Sequence, residues 1–257
     1  MQDVPHGLTE GIVTQRVDWT DNMFTIQVQA SIESYVAGQF TKLGLKIDNE
    51  DWVRRAYSMV NSPNQPQGPD FLEFLIISDS EGQLSPKLFE LQVGDSVYVD
   101  KRPSGFMIMS EIPEYAKELW FLSTGTAVGP FLAMLEDKEE FDKYEKVVLV
   151  HAVRASQELI YQDKIAKVHH DLGGKFMYVP VVSREDNPQA LRGRIPKLLL
   201  NGELLQATNL DLDSSKSFFY LCGNPAMVKD TSEALKKLGF EKHLRRKPGH
   251  FSYENYW

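Results

Sequence analysis

The spacing of apolar residues along this chain changes near residue 110, and no single sheet or helical bundle accommodates both spacings. Before that point, residues 12–17 and 24–28 roughly alternate apolar with polar side chains, and residues 71–77 and 96–99 are rich in β-branched and aromatic residues. Turn residues separate them at Gly38, Pro63, Gly68, Gly82 and Gly94. Short alternating runs at this spacing predict an antiparallel sandwich or barrel. After residue 110 the apolar runs are shorter and continuous, at 119–122, 147–150, 176–179 and 218–221, and helix-compatible stretches follow them. The clearest helical patterns run from Pro130 to about Tyr144 and from about Glu158 to His169. Strands buried on both faces and alternating with helices predict right-handed crossovers and a parallel, Rossmann-like α/β sheet. The expected organisation is therefore two domains, residues 1–110 and 111–257, with the boundary beside Glu111, Ile112 and Pro113.

Composition narrows the function classes. Apolar residues make up 42% of the chain, enough for a packed core. The single cysteine, Cys222, excludes a disulfide framework and a four-cysteine iron–sulfur cluster within this sequence. A net charge of −8 argues against general nucleic-acid binding. Without an apolar leader or a membrane-length apolar run, the expectation is a cytoplasmic protein off the membrane. The charge is uneven, however. Residues 229–247 hold seven basic side chains against three acidic ones, a local balance of +4. Such a segment is either a solvated helix face or a docking surface for an acidic partner.

Ligands of parallel sheets bind beyond the carboxyl ends of the strands, and four loops fall there. The first, Thr124 to Pro130, reads Thr-Gly-Thr-Ala-Val-Gly-Pro, with Thr126 between its glycines; it lets a backbone approach a pyrophosphate ahead of a helix N-terminus. The second places Val153 and Arg154 after the 147–150 run, and the third places Ser183 and Arg184 after the next one, with Arg194 following. Three arginines near one sheet edge suit a phosphomonoester, which takes forked, charge-assisted donors. That points to the 2′-phosphate of NADP. The fourth loop carries Cys222, Gly223 and Asn224; Cys222 is either a small residue lining a cofactor pocket or an inert core thiol. In the first domain, Arg55, Ala56, Tyr57 and Ser58 offer a cation for a pyrophosphate, an aromatic face and a hydroxyl. Gly82, Gln83, Leu84 and Ser85 read as a second phosphate loop, with Ser85 capping a short helix. The histidines, including adjacent His169 and His170, have no metal-ligand spacing, so no metal is expected.

Taken in this order, the motifs resemble those of bacterial ferredoxin or flavodoxin–NADP reductases of the plant-type superfamily, and the resemblance covers essentially the whole chain. It implies an FAD-binding antiparallel β-barrel followed by an NADP-binding α/β domain. Arg55 to Ser58, Leu75, Ile76, Ile77, Gln83, Leu84, Ser85 and Thr124 would bind FAD. Thr126, Val153, Arg154, Ser183, Arg184, Arg194, Cys222, Gly223, Asn224 and Asp230 would bind NADP(H). The sequence adds Trp257 after Tyr256; by resemblance Tyr256 covers the isoalloxazine and Trp257 stacks on adenine, or the reverse. The pyrophosphate loop is Gly-Gln-Leu-Ser rather than the plant-type Gly-Thr-Cys-Ser, with the serine kept.

The implied reaction is hydride transfer between NADPH and FAD, coupled to one-electron transfer with ferredoxin or flavodoxin. Ser58, Cys222 and Glu254 would shape the nicotinamide–flavin contact, and the protein would act as a monomer. In that setting the basic segment reads as the docking face for an acidic carrier. The same motifs are compatible with two other readings, a general NAD(P)H–flavin reductase and a nucleotide-sensing adaptor without turnover.

Overall fold

The computed structural model describes residues 4–47 and 51–255. The first half forms one six-stranded antiparallel sheet. Its strands are β1 (Leu8–Asp18), β2 (Met23–Gln29), β3 (Phe40–Ile47), β4 (Asp51–Ser58), β5 (Phe71–Ile77) and β6 (Ser96–Asp100), in the order β4-β3-β6-β1-β2-β5. A bulge between Val13 and Gln15 bends β1 while it pairs with both β2 and β6. The curled sheet closes where Met59 bridges Phe74 and the Val60 N–H reaches Glu73 O at 2.8 Å. The result is a barrel around Val13, Phe24, Ile26, Leu43, Phe74 and Val99. One short helix, α1 (Ser85–Glu90), lies between β5 and β6.

The second half is a six-stranded parallel sheet. It contains β7 (Glu118–Thr124), β8 (Lys146–Val153), β9 (Phe176–Val182), the two-residue β10 (Leu191–Arg192), β11 (Ser217–Gly223) and β12 (Phe251–Asn255), ordered β10-β9-β8-β7-β11-β12. The helices are α2 (Gly129–Glu136), α3 (Gln162–Leu172), α4 (Ile195–Leu200), α5 (Glu203–Thr208) and α6 (Pro225–Lys237). The continuous apolar runs have a simple cause. In β7, Leu119 and Phe121 face the α2–α3 layer while Trp120 and Leu122 face α4 and α6. β8 and β11 alternate the same way, so each strand needs apolar side chains on both faces.

Two helices are shorter than their sequence patterns. The run from Pro130 stops at Glu136, and residues 138–141 continue as a separate 3-10 turn. The side chains of Glu136 and Asp137 are committed to Ser62 of the barrel, which bends the chain there. The run from Glu158 starts instead at Gln162, because Tyr161 adopts a left-handed conformation at φ 59°. The core around α2 is shared: Met23, Val60, Leu75 and Met107 of the first half pack with Phe131, Leu132 and Met134. β6 ends at Asp100 and β7 begins at Glu118, with a 3-10 turn at Met109–Glu111 between them.

Candidate functional site

One cavity of about 1240 Å³ runs between the barrel and the carboxyl ends of the parallel strands. Its barrel wall comes from β4 and β5. Arg55 and Ala56 are exposed on β4, Tyr57 is half-buried, and Ser58 is buried at the strand end; all four line the cavity, as do Leu75 and Ile77 of β5. Alternation explains the β5 pair: Leu75 and Ile77 share a face, while Ile76 points into the barrel core and does not line the cavity. Burial raises the Tyr57 hydroxyl to about 12, against an opposing pull from Arg55, so it stays protonated at neutral pH.

Arg55 is held over the next loop. Its guanidinium donates to Arg54 O at 2.8 Å and to Gln83 Oε1 at 3.2 Å, and it has no carboxylate partner among the described residues. Ser85 does not cap α1. Leu84 is the N-cap residue, and the Ser85 hydroxyl instead accepts the Asp79 N–H at 3.1 Å. This bond folds the loop back on itself. A Cβ on Gly82 would lie 2.8 Å from Ser85 Oγ and 3.0 Å from Asp79 O, so the turn accommodates glycine best. A cation without a counter-ion, above a tight loop and beside an apolar and aromatic wall, fits a pyrophosphate joined to a flat ring. FAD fits this end of the cavity.

The other wall lies at the point where the parallel strand order reverses, between β7 and β11. Thr124 ends β7, and its hydroxyl accepts the Asn224 N–H at 3.1 Å. Gly223 has φ +148°, and a Cβ there would fall 2.0 Å from Thr124 Oγ1 and 3.1 Å from Thr124 N. No larger residue fits beside Thr124. Asn224 then caps α6 by accepting the Ala226 N–H at 2.9 Å. Behind the glycine turn, fully buried His151 contacts Gly125 O through Nε2 at 3.1 Å, with Tyr178 Oη 3.5 Å from Nδ1. Burial lowers His151 to about 4, so the ring is neutral and Nε2–H is the donor to the carbonyl.

The arginine loops are joined to each other. The Arg184 N–H donates to Arg154 O at 2.9 Å, and the Ser183 hydroxyl donates to Val153 O at 3.1 Å. Arg154, Arg184 and Arg194 all line the cavity and make no side-chain ion pair among the described residues, unlike nearby Arg192, which pairs with Asp186. Three uncompensated guanidiniums at one end of a cavity fit a dianionic phosphate, as NADP would present. Thr126, Val153, Ser183, Asn224 and Asp230 line the same region.

β12 supplies what connects the two ends. Glu254 stands opposite Cys222 in the parallel pairing, and its Oε1 accepts the N–H groups of Phe106 at 3.0 Å and Met107 at 3.3 Å. Burial raises its carboxyl above the usual range, while those two donors hold it back. Glu254 lines the cavity. Cys222 and Gly223 do not; Cys222 is fully buried, and burial, with Glu254 nearby, pushes its thiol well above the usual range. Cys222 sits one layer behind the cavity wall. Tyr256 and Trp257 lie outside the described residues. Met227, at the end of the fourth loop, also lines the cavity; sequence reasoning missed Asn255, which lines it too and follows Glu254 on a strand too polar to be recognised alone.

Comparison with known proteins agrees with this division of labour. The family model described as "Oxidoreductase FAD-binding domain" matches residues 12–107, and the one described as "Oxidoreductase NAD-binding domain" matches residues 121–233. Fold and site thus define a two-domain oxidoreductase that uses FAD and a nicotinamide nucleotide. The chain is 44% identical over 248 residues to a flavodoxin/ferredoxin–NADP reductase of Shigella flexneri, covering 96% of this chain and 98% of that protein. It is 34% identical to a ferredoxin–NADP reductase of Pseudomonas aeruginosa, covering 95% and 96%. A crystal structure of a ferredoxin NADP+ reductase from Neisseria gonorrhoeae with bound FAD and NADP superimposes with a TM-score of 0.88 at 34% identity, covering 98% of this chain and 99% of that one. This chain belongs to the flavodoxin/ferredoxin–NADP reductase family.

Proposed function

We infer that this chain is an FAD-dependent ferredoxin/flavodoxin–NADP(+) reductase, with residues 1–110 as its flavin domain and 111–257 as its NADP domain. The observation that carries this reading is one cavity with Arg55 over a tight loop at one end and, at the other, Arg154, Arg184 and Arg194, which make no ion pair among the described residues. FAD, held by the barrel-side residues, would supply the conversion between the two-electron chemistry of NADPH and the one-electron chemistry of a carrier. The residues of the chain position and shield. Arg55 and Gln83 hold the pyrophosphate; Tyr57, Leu75 and Ile77 present a flat, largely apolar wall to the ring. Arg154, Arg184 and Arg194 grip the 2′-phosphate and so anchor NADPH far from the reacting atoms, which leaves its nicotinamide free to enter. Ser58 and Glu254 approach from opposite walls and border the space in which the two rings meet, while Cys222 sets the packing behind Glu254. Tyr256 and Trp257 are proposed to cover the outer flavin face and the adenine.

The electron carrier is proposed to dock beside Glu254. There Phe106 is 61% exposed and carries the Arg245 guanidinium 3.9 Å above its ring. Glu111, which lies outside the basic segment, pairs with Arg245 at 2.7 Å and lowers its balance by one charge; within the segment Lys247 pairs with Glu241 at 2.8 Å, and Lys242 lies over the Tyr253 ring. Arg246, Lys229, Lys236 and Lys237 make no ion pair among the described residues and are left to attract an acidic partner.

The test is a two-stage rapid-mixing experiment. NADPH should bleach the visible absorbance of the FAD-loaded protein much faster than NADH does, and the reduced protein should then pass electrons to ferredoxin or flavodoxin. A protein that binds FAD but is not reduced by NADPH would be a nucleotide-binding adaptor instead.

A further inference from the structure

The seam between barrel and parallel sheet holds a polar cluster that makes no contact with the cavity yet joins both of its walls. It begins at the arginine loops. Ser156, two residues after Arg154, gives its N–H to Glu185 Oε1 at 2.6 Å and accepts from Asn187 Nδ2 at 3.0 Å, so the loops after β8 and β9 are tied to each other. Five residues on, Tyr161 sits buried in a left-handed conformation, at φ 59°, that residues with a Cβ seldom adopt. That conformation turns the ring across the seam. Tyr161 Oη donates to Glu73 Oε1 at 2.6 Å and lies 2.7 Å from Thr25 Oγ1, while its ring packs 5.0 Å from Trp19. Trp19 Nε1–H reaches the same Thr25 hydroxyl at 2.8 Å. One helical turn later, Lys164 Nζ donates to Glu73 Oε2 at 3.2 Å and to Glu136 Oε1 at 2.9 Å. The second oxygen of Glu136 accepts the Ser62 N–H of the barrel at 2.7 Å.

Register gives the cluster its meaning. Glu73 lies two residues before Leu75 on β5, and Thr25 is paired with Leu75 across the β2–β5 ladder. Thr25 and Glu73 therefore stand on the same faces of their strands as Met23, Leu75 and Ile77, which line the cavity. The cluster holds the two strands of the flavin wall at one end and, through the 154–161 segment, the arginine that grips the nucleotide at the other. Both bridging groups keep the protonation this needs. Burial and the Glu73 charge raise the Tyr161 hydroxyl well above its ordinary value. Burial opposes charge on Lys164, but Glu73 and Glu136 together outweigh it and the ammonium is favoured.

Resting on the reductase reading, we propose that Tyr161 and Lys164 are positioning residues for hydride transfer: clamped to Glu73, Thr25 and Glu136, they fix the nucleotide-gripping loops against the flavin wall, so that an anchored NADPH meets the flavin at reacting distance. Neither residue touches either nucleotide site, so their loss acts on the alignment of the two rings and not on affinity for the ligands.

Lys164→Met and Tyr161→Phe each test this, with Lys164→Arg as the conservative replacement. Four quantities are read on the FAD-loaded protein: FAD content, NADPH dissociation constant, flavin reduction rate at saturating NADPH, and the long-wavelength charge-transfer absorbance of the nicotinamide–flavin pair. FAD content and NADPH affinity should stay at wild-type values. The reduction rate should fall about tenfold or more, since misalignment by about 1 Å is enough for such a loss. The charge-transfer absorbance should weaken with it, and Lys164→Arg should recover most of both. Tyr161→Phe keeps the ring packed and folds even if Lys164→Met does not. A wild-type rate and absorbance in Tyr161→Phe, or a rate lost in step with NADPH affinity, would overturn the proposal. Failure of the reductase reading looks different, because wild-type protein would then show no reduction by NADPH at all.

Discussion

The two ends of the cavity present their arginines in opposite ways. At the barrel end Arg55 lies on a strand, is fixed by Arg54 O and Gln83, and works over a loop knotted by the Asp79–Ser85 bond. At the sheet end Arg154, Arg184 and Arg194 stand on exposed loops whose backbones are joined but whose guanidiniums have no ion-pair partner among the described residues. The first arrangement is organised before its ligand arrives and suits a cofactor that stays. The second leaves its cations to be ordered by the ligand and suits one that exchanges in every cycle.

This contrast can be broken in the backbone. Gly223→Ala would drive a Cβ to 2.0 Å from Thr124 Oγ1 at φ +148°, whereas Gly82→Ala would meet Ser85 Oγ at 2.8 Å. The first should destabilise by about 3 kcal/mol and raise the NADPH dissociation constant, because it pushes the two walls of the switch point apart; the second should cost about 1 kcal/mol and act on FAD. Denaturant unfolding and ligand titration of both variants separate these outcomes, and equal losses would contradict the division.

Acid sharpens it next. His151 is lowered from 6.5 to about 4, so the stability it contributes is full above pH 6.5 and is lost as the pH falls towards 4. From pH 7 to pH 4 the loss is about 3 kcal/mol. Among the described residues of the barrel, no histidine is buried. Hydrogen exchange across this range should therefore show β7, β8 and β9 losing protection before the barrel strands, and His151→Gln should flatten the trend. Identical pH dependence in His151→Gln and wild type would remove the basis for it.

A smaller effect is expected at the rim. Arg246→Glu should slow electron delivery to ferredoxin with a cost of about 1 kcal/mol or less, most visible at low salt, and leave reduction of a small dye such as ferricyanide intact. Reversal of Arg245 would mix this effect with loss of the Glu111 pair and the Phe106 contact, so Arg246 is the cleaner probe.

The comparison also explains what could be read from sequence. The parallel strands were legible because both faces are buried, and the arginines were legible because a strand end precedes each loop. β3 alternates Leu43, Leu45 and Ile47 with Lys42, Gly44 and Lys46 and forms a hairpin with β4, so its signal was present in the sequence and went unread; only its second partner, β6, is distant. β12 was missed because Ser252, Glu254 and Asn255 are polar; it is a strand only because β11 offers an edge. The early end of α2 and the late start of α3 were illegible for a shared reason, since Glu136, Asp137 and Tyr161 answer to groups of the barrel far away in the chain. The seam cluster is invisible to local periodicity. Cys222 lies behind the cavity wall and not on it, because alternation along β11 turns it into the core.

Recognition of the reductant is proposed to rest on its 2′-phosphate, held at the exposed arginine loops. The measurement that tests it most directly is the affinity and flavin reduction rate of Arg184→Ala and Arg194→Ala with NADPH and with NADH. Each substitution should weaken NADPH by roughly 1.5–3 kcal/mol, the value of a charge-assisted hydrogen bond, and leave NADH nearly unchanged. Equal weakening of both nucleotides would place the 2′-phosphate elsewhere and contradict the account.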